Sequence, residues 1–449
     1  MQMKLKKKAT LALSTAFLAM TLLSACSGSS ESNSSTSEKP KDEKVTIKYY
    51  NWDNEVMQAS TEKYIEQFEK ENPNIDVEHV SLVPGNSLET LKKLDVLMAS
   101  GESIDVFMTP HIDAIYQRAA QGVVAPLDDL YKENKLNPEE EYYVNPKYDG
   151  KYYGILNNIS TNFVLLNKEA LDEAGLEVPK AGWTWDEFSE YAKKLTKGEG
   201  TEKQYGAYFH NWGLYANPIA QVHLKHPFMT EDGKTNFTDP SYEYFFNLRR
   251  QMEKTDKSIK PYADVIGAKL NYRTEYFNGD AAMLLTGTWM IADTGNTGQF
   301  PHEFKTAFAP VPVHSKGDKN EIYMGGNYLA IGQSSKNKEA AFKFARFIST
   351  NLTDARTELP GWKKEDAKPL VEKWIAGKED YYDVDSLMST LFDSTEALPA
   401  SDVSITYAAE LDKILGDGFS QFILEDKSAK EVQKWMADEA NKVIKENEK

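Results

Sequence analysis

Trp52 and Asp53 follow directly on the alternating run "KVTIKYYN". An indole offers a flat apolar face for stacking, and a carboxylate can accept two hydroxyl hydrogen bonds at once. The same pairing of chemistries recurs along the chain. His111 and Asp113 come after the short apolar run "IDVFMTP". His210, Trp212 and Tyr215 crowd the stretch "YFHNWGLYANP", and Trp289 stands two residues after the glycine that ends "AAMLLTG". Asn157, Asn158 and Ser160 place short polar groups between the two apolar runs of "GILNNISTNF". Gly325 and Gly326 let backbone amides approach a guest or let a strand bend, and Trp362 in "LPGW" and Tyr407 in "ITYAAE" are further isolated rings. Each group also has a plainer reading. Trp289 can pack with Leu284, Leu285 and Met290, Asp113 can cap the helix that follows it, and asparagines are common in turns.

Catalysis has little support in these residues. Acidic pairs such as Asp53 with Asp113 are the kind a glycoside hydrolase uses, whose chemistry needs two carboxylates at a set separation that sequence does not give. No G-x-S-x-G element, P-loop or His-Glu-x-x-His element occurs. The seven histidines are scattered without ligand spacing, so neither a metal nor a cofactor is expected.

The elements that would position these groups alternate in type. Val45, Ile47 and Tyr49 share one face of a strand, and Tyr64, Ile65 and Phe68 keep helical spacing up to Asn72-Pro73. "IDVEHVSLV", "SLETLKKLDVLMASGES" and "IDVFMTP" then read as strand, helix and strand. That order implies right-handed crossovers in a mainly parallel sheet, with ligands at the carboxyl ends of its strands. Further on, Thr184 with Glu187 forms a capping box before "WDEFSEYAKKL", and Ser335 or Asn337 opens "KEAAFKFARFI". The chain is α/β throughout and shows no linker after residue 45.

The first 44 residues are of another kind. Four lysines precede the 13-residue uncharged run "LALSTAFLAMTLL", which is too short for a comfortable membrane span. Cys26, the only cysteine, closes "LSAC", so the body is expected to fold without disulfides. Residues 1–25 read as a lipoprotein signal peptide with Cys26 as the acylation site, and residues 26–44 as a flexible Ser-rich tether. The whole chain carries a net charge of −17, and the mature chain −21 once the four lysines are gone, which argues against nucleic acid as a partner.

Four segments together resemble the family 1 extracellular solute-binding proteins, sugar-binding lipoproteins that serve ATP-driven importers. They are "SGESIDVFMTPHIDAIYQRAAQGVVAPLDDLY", "KYDGKYYGIL … VLLNKEALDEAGLEVPKAGWTWDEF", "FNGDAAMLLTGTWM" and "MGGNYLAIGQSSKNKEAAFKFARFI". The chain departs from the pattern at Leu156, where proline is usual, and at Asp280, where a basic residue is common. The resemblance implies a two-lobed periplasmic-binding-protein-like α/β fold joined by crossing strands, each lobe a mainly parallel sheet flanked by helices. Residues 45–155 with 328–360 would form one lobe, and 156–327 with 361–449 the other. It also implies a carbohydrate in the cleft, contacted by Trp52, Asp53, His111, Asp113, Asn158, Ser160, Trp212, Trp289, Gly325, Gly326, Trp362 and Tyr407. An ABC permease would be the partner, and the protein a non-catalytic monomer anchored through Cys26 on the outer face of the cell membrane. The alternatives are a glycoside-acting enzyme and a ligand-sensing surface protein of the same fold.

Overall fold

The computed structural model describes residues 44–216, 224–351, 356–398 and 404–447. Cys26 and the tether up to residue 43 lie outside them. In chain order the principal strands are β1 (Val45–Asn51), β2 (Ile75–Ser81), β3 (Val106–Thr109), β4 (Ile155–Ser160), β5 (Asn162–Asn167), β6 (Tyr205–Tyr208), β7 (Ala281–Gly287), β8 (Thr306–Pro310) and β9 (Gly325–Ile331). They form two sheets, ordered β2-β1-β3-β9-β4 and β8-β5-β7-β6. In the first, β1 is parallel to β2 and β3, while β9 runs antiparallel to β3 and β4. In the second, β5 is antiparallel to β7 and β8, and β6 is parallel to β7. The two-lobed α/β frame is the one the sequence predicts. Its sheets are mixed where mainly parallel pairing is expected, because the strands near the passage between them run back against their neighbours.

Each sheet has its own apolar core. Ile47, Tyr49, Phe107, Ile155 and Leu329 pack with Phe344 of the helix Lys338–Thr350 on the first. Val164, Leu166, Met283 and Ala307 pack with Trp185 and Phe188 of the helix Trp185–Leu195 on one face of the second. That helix begins with the predicted capping box: the Thr184 amide donates to Glu187 Oε2 at 2.8 Å, and the Glu187 amide to Thr184 Oγ1 at 3.3 Å. A third cluster unites Tyr242 and Phe246 with the C-terminal helices Ala408–Leu424 and Ala429–Asn447. Asp280, where the family pattern commonly has a basic residue, sits in the turn before β7, and its carbonyl accepts the Tyr205 amide.

The chain passes between the sheets with little slack. Thr161 alone separates β4 from β5, and its carbonyl accepts the Thr288 amide at 3.1 Å. A third segment lies along β4, with the Ile159 amide on the Leu359 carbonyl at 3.0 Å and the Gly361 amide on the Asn157 carbonyl at 3.2 Å. Leu359 already packs in a core of the second sheet, Trp362 packs on the first, and the helix Lys368–Ile375 packs on the second through Val371 and Ile375, so this segment touches both cores. Leu156, at the position where the resemblance calls for proline, is buried and fills the space left by two glycines. A β-carbon on Gly326 would lie 2.8 Å from its Cδ1, and one on Gly361 2.5 Å from its Cγ.

Gly326 is the tighter of the two glycines that open β9. A β-carbon there would also meet the Asn158 carbonyl oxygen at 2.2 Å, whereas one on Gly325 would meet only Ser160 Oγ at 3.2 Å. Backbone cannot yield as a hydroxyl can. Gly326→Ala is therefore expected to cost ~1–3 kcal/mol of stability, and Gly325→Ala well under half of that. Thermal melts of the two variants measure the difference.

Candidate functional site

Three segments distant in sequence meet in one aromatic wall. The loop after β6 brings His210, Trp212 and Tyr215; the helix Tyr272–Phe277 brings Tyr272; the turn after β7 brings Trp289. The Trp212 ring centroid lies 4.9 Å from His210, 5.2 Å from Tyr272, 5.8 Å from Tyr215 and 6.3 Å from Trp289. Tyr215 and Tyr272 are buried and Trp289 half-buried, while Trp212 is 38% exposed. The buried rings thus brace the open one, leaving an indole available for stacking.

Small residues seat these rings. Gly287 has φ −148°, extended backbone that any residue adopts. What matters is the missing β-carbon, which would lie 2.2 Å from Trp289 Cζ3. Gly213 plays the same part under Trp212, since a β-carbon there would fall 1.9 Å from Asp412 Oδ1. Burial pushes Asp412 up to about 6.

The charged groups beside the wall are largely engaged. Arg273 donates through Nε to Asp293 at 2.7 Å and through a second nitrogen to the Tyr272 hydroxyl. His210 Nδ1 lies 3.1 Å from the Tyr208 hydroxyl, and burial, helped by Arg273, pulls its pKa down to about 4. On the third passage segment, the buried Arg356 donates to the carbonyls of Ile348 at 3.0 Å, Asn351 at 3.3 Å and Glu358 at 3.0 Å, and also to that of Asn157. Glu358 is half-buried. Desolvation raises it to about 7; Arg356 and Arg273 pull it down, while Asp53 and Asp293 push it up. Its surroundings therefore include charges from both halves of the fold. Sequence reading missed Glu358, which sits in "RTELPGW" without periodic structure or a motif to mark it.

The remaining candidates divide between the frame and the junction. Trp52 is half-buried against the first core. Asp53 is buried, and its Oδ2 takes the Asn51 amide group at 2.7 Å and the Thr61 hydroxyl at 2.5 Å, with His79 Nε2 at 3.4 Å. His111 takes over the capping role expected of Asp113, its Nδ1 accepting the Ala114 amide at 3.3 Å. Asp113 begins the helix Asp113–Ala120, with Oδ2 3.9 Å from His226 Nε2 and Oδ1 buried without a hydrogen bond. Asn158 is only 2% exposed, its Oδ1 taking the Asn157 amide group at 3.3 Å. Ser160 pairs with Gly325, and Asn158 with Asn327, across β4 and β9. Trp362 gives its indole N–H to Glu141 at 2.8 Å, and Tyr407 precedes the helix Ala408–Leu424 and packs on the third cluster. Among the described residues no cluster of three metal-ligating side chains occurs, and no helix is long and apolar enough to cross a membrane.

Two mixed sheets, exchanging strands across a short junction with an aromatic wall beside it, define the class to which this chain belongs. The bacterial extracellular solute-binding protein model matches residues 51–351, and the chain is a member of that family. A Streptococcus mutans multiple sugar-binding protein is 26% identical over 74% of this chain and 76% of its own length. The sn-glycerol-3-phosphate-binding periplasmic protein of Shigella flexneri is 24% identical over 63% of this chain. The chain spans 65% of that relative's length, slightly less than two thirds. Among solved structures, a Listeria monocytogenes ABC substrate-binding protein in complex with cycloalternan superposes with a TM-score of 0.71 at 23% identity, covering 90% of this chain and 99% of the other. The maltose/maltodextrin-binding domain of Bdellovibrio bacteriovorus bound to maltotriose gives 0.69 at 19% identity, covering 89% and 100%. These likenesses establish the fold.

Glu358 generates a pH prediction. Its folded pKa of about 7 lies above the ordinary 4.5, so the folded chain keeps a proton that the unfolded chain has released. Its contribution to stability is therefore present below about pH 4.5 and lost as pH rises toward 7. Glu358→Gln should raise the melting temperature at pH 8 and change it little at pH 4.5. The full shift corresponds to about 3 kcal/mol, which the partial exposure of this half-buried residue reduces to ~1–2 kcal/mol. Paired melts across this range check it.

Proposed function

We propose that this protein is a lipid-anchored extracellular receptor that closes two lobes around a carbohydrate and passes it, chemically intact, to an ABC-type import permease. The observation that carries the reading is the wall of Trp212, Tyr272 and Trp289 beside the junction of the two sheets. Sugar rings present C–H faces to such indoles and hydroxyls to the polar groups around them. The membership of the family and the sugar-binding relative support the same reading.

On this reading the lobes are 45–155 with 328–360 and 156–327 with 361–449. Hinge closure buries the ligand. Cys26 carries two acyl chains, which together anchor durably where one would not. The receptor acts as a monomer without catalysis, and Asp53, one of the two acids a hydrolase would need, is already engaged by Asn51 and Thr61. The relatives named above include both a sugar binder and a phosphate-ester binder, so the charge of the ligand is the main specificity question.

The mature chain should quench or enhance its tryptophan fluorescence on titration with a saccharide panel and leave the saccharide intact; slow turnover in the same tubes would favour the enzyme. Trp212→Ala and Trp289→Ala should each weaken binding about 10-fold, or ~1.4 kcal/mol. Lost stability at unchanged affinity would place Trp289 in the core. Cys26→Ser should move the protein from the membrane fraction to the medium, as read by fractionation.

A further inference from the structure

Anion-binding sites need donors that are free when the ligand arrives, typically arginine forks, lysines or helix N-termini. The cations that act on the junction here are not free. Arg356 spends four of its five N–H groups on the carbonyls of Ile348, Asn351, Asn157 and Glu358. Arg273 is neutralised by Asp293 at 2.7 Å, with its guanidinium 4.7 Å from the Tyr272 ring centroid. The imidazoles of His210 and His111 add no charge at neutral pH, because burial pulls both down, and that of His79, which Asp53 and Glu62 raise against its burial, is held between those two acids. Glu358 differs: among the described residues its carboxylate has no hydrogen-bond partner, while Asp53 and Asp293 bear on it electrostatically.

We propose that this site selects uncharged polyhydroxylated ligands and rejects phosphorylated or carboxylated ones, with Glu358 and the Arg273–Asp293 pair enforcing the choice. A neutral sugar meets in Glu358 a group that can donate or accept to a hydroxyl. A phosphate meets carboxylates and finds the arginines occupied. Capturing it would mean separating Arg273 from Asp293 and leaving that acid, itself largely buried, without its counter-charge. The inference rests on the carbohydrate-receptor reading and narrows its ligand class.

The test uses the mature chain at pH 7.5 and low ionic strength, followed by tryptophan fluorescence and calorimetry. One panel is neutral, from glucose to α- and β-linked tetrasaccharides; the other holds glucose 6-phosphate, sn-glycerol 3-phosphate and inorganic phosphate. The expected result is saturable binding of at least one neutral saccharide, with every phosphorylated probe at least 100-fold weaker. Asp293→Asn, which releases Arg273, and Glu358→Gln, which removes the repelling carboxylate, should each narrow that ratio at least 5-fold. Melting curves confirm that both variants are folded. A phosphorylated probe that binds as tightly as the best neutral one overturns the inference and leaves the receptor reading standing. An unchanged ratio in both folded variants overturns the role given to these residues. Silence across the neutral panel overturns the carbohydrate reading and this inference with it.

Discussion

Arg356 is the interaction on which the junction depends. A guanidinium removed from water must have its donors satisfied, and here backbone carbonyls do so. Those carbonyls come from the end of the helix Lys338–Thr350, from β4 and from the return segment itself. One side chain thereby ties together three stretches that would otherwise be held by a few backbone bonds. Burial lowers its pKa, against which Tyr64 and Glu358 act through space. Among the described residues its hydrogen bonds go to carbonyls and not to a carboxylate, while Glu358 acts on it through space. Glu358, two positions on, is consequently left as an acid with no hydrogen-bond partner among the described residues.

The aromatic wall rests on a different constraint, which is space. Its open ring, Trp212, is backed by rings that already satisfy one another, and the loops carrying Trp212 and Trp289 approach other atoms where only glycine fits. Rigid support of this kind lowers the ordering cost of binding, since the platform exists before a ligand arrives. The charges follow the same logic, each arginine being held by protein groups in advance.

Much of the frame was legible in the sequence because it rests on local rules. The alternation in "KVTIKYYN", the end of a helix at Asn72-Pro73 and the Thr184–Glu187 capping box each depend on residues a few positions apart. Pairing direction was not legible, because strands such as β9 and β4 meet across more than 150 residues of chain and no local pattern records their sense. Of the site, Trp212 and Trp289 were readable as rings outside or at the ends of periodic elements, and the structure does bring them together. Asp53 illustrates the limit: its place at a strand end was right, but its engagement by Thr61 depends on where the helix Glu55–Glu71 folds back. Tyr272 and Glu358 went unseen because their neighbours come from distant segments.

Thr161 remains the narrowest point of the frame, a single residue between a strand of one sheet and a strand of the other. A link that short behaves less like a tether than like the fulcrum of a lever. Rotation about its two backbone dihedrals passes undamped into both strands, so a small angular change at the centre becomes a large displacement at the outer rims. Whatever a guest does to the torsions around Thr161 would reach those rims magnified.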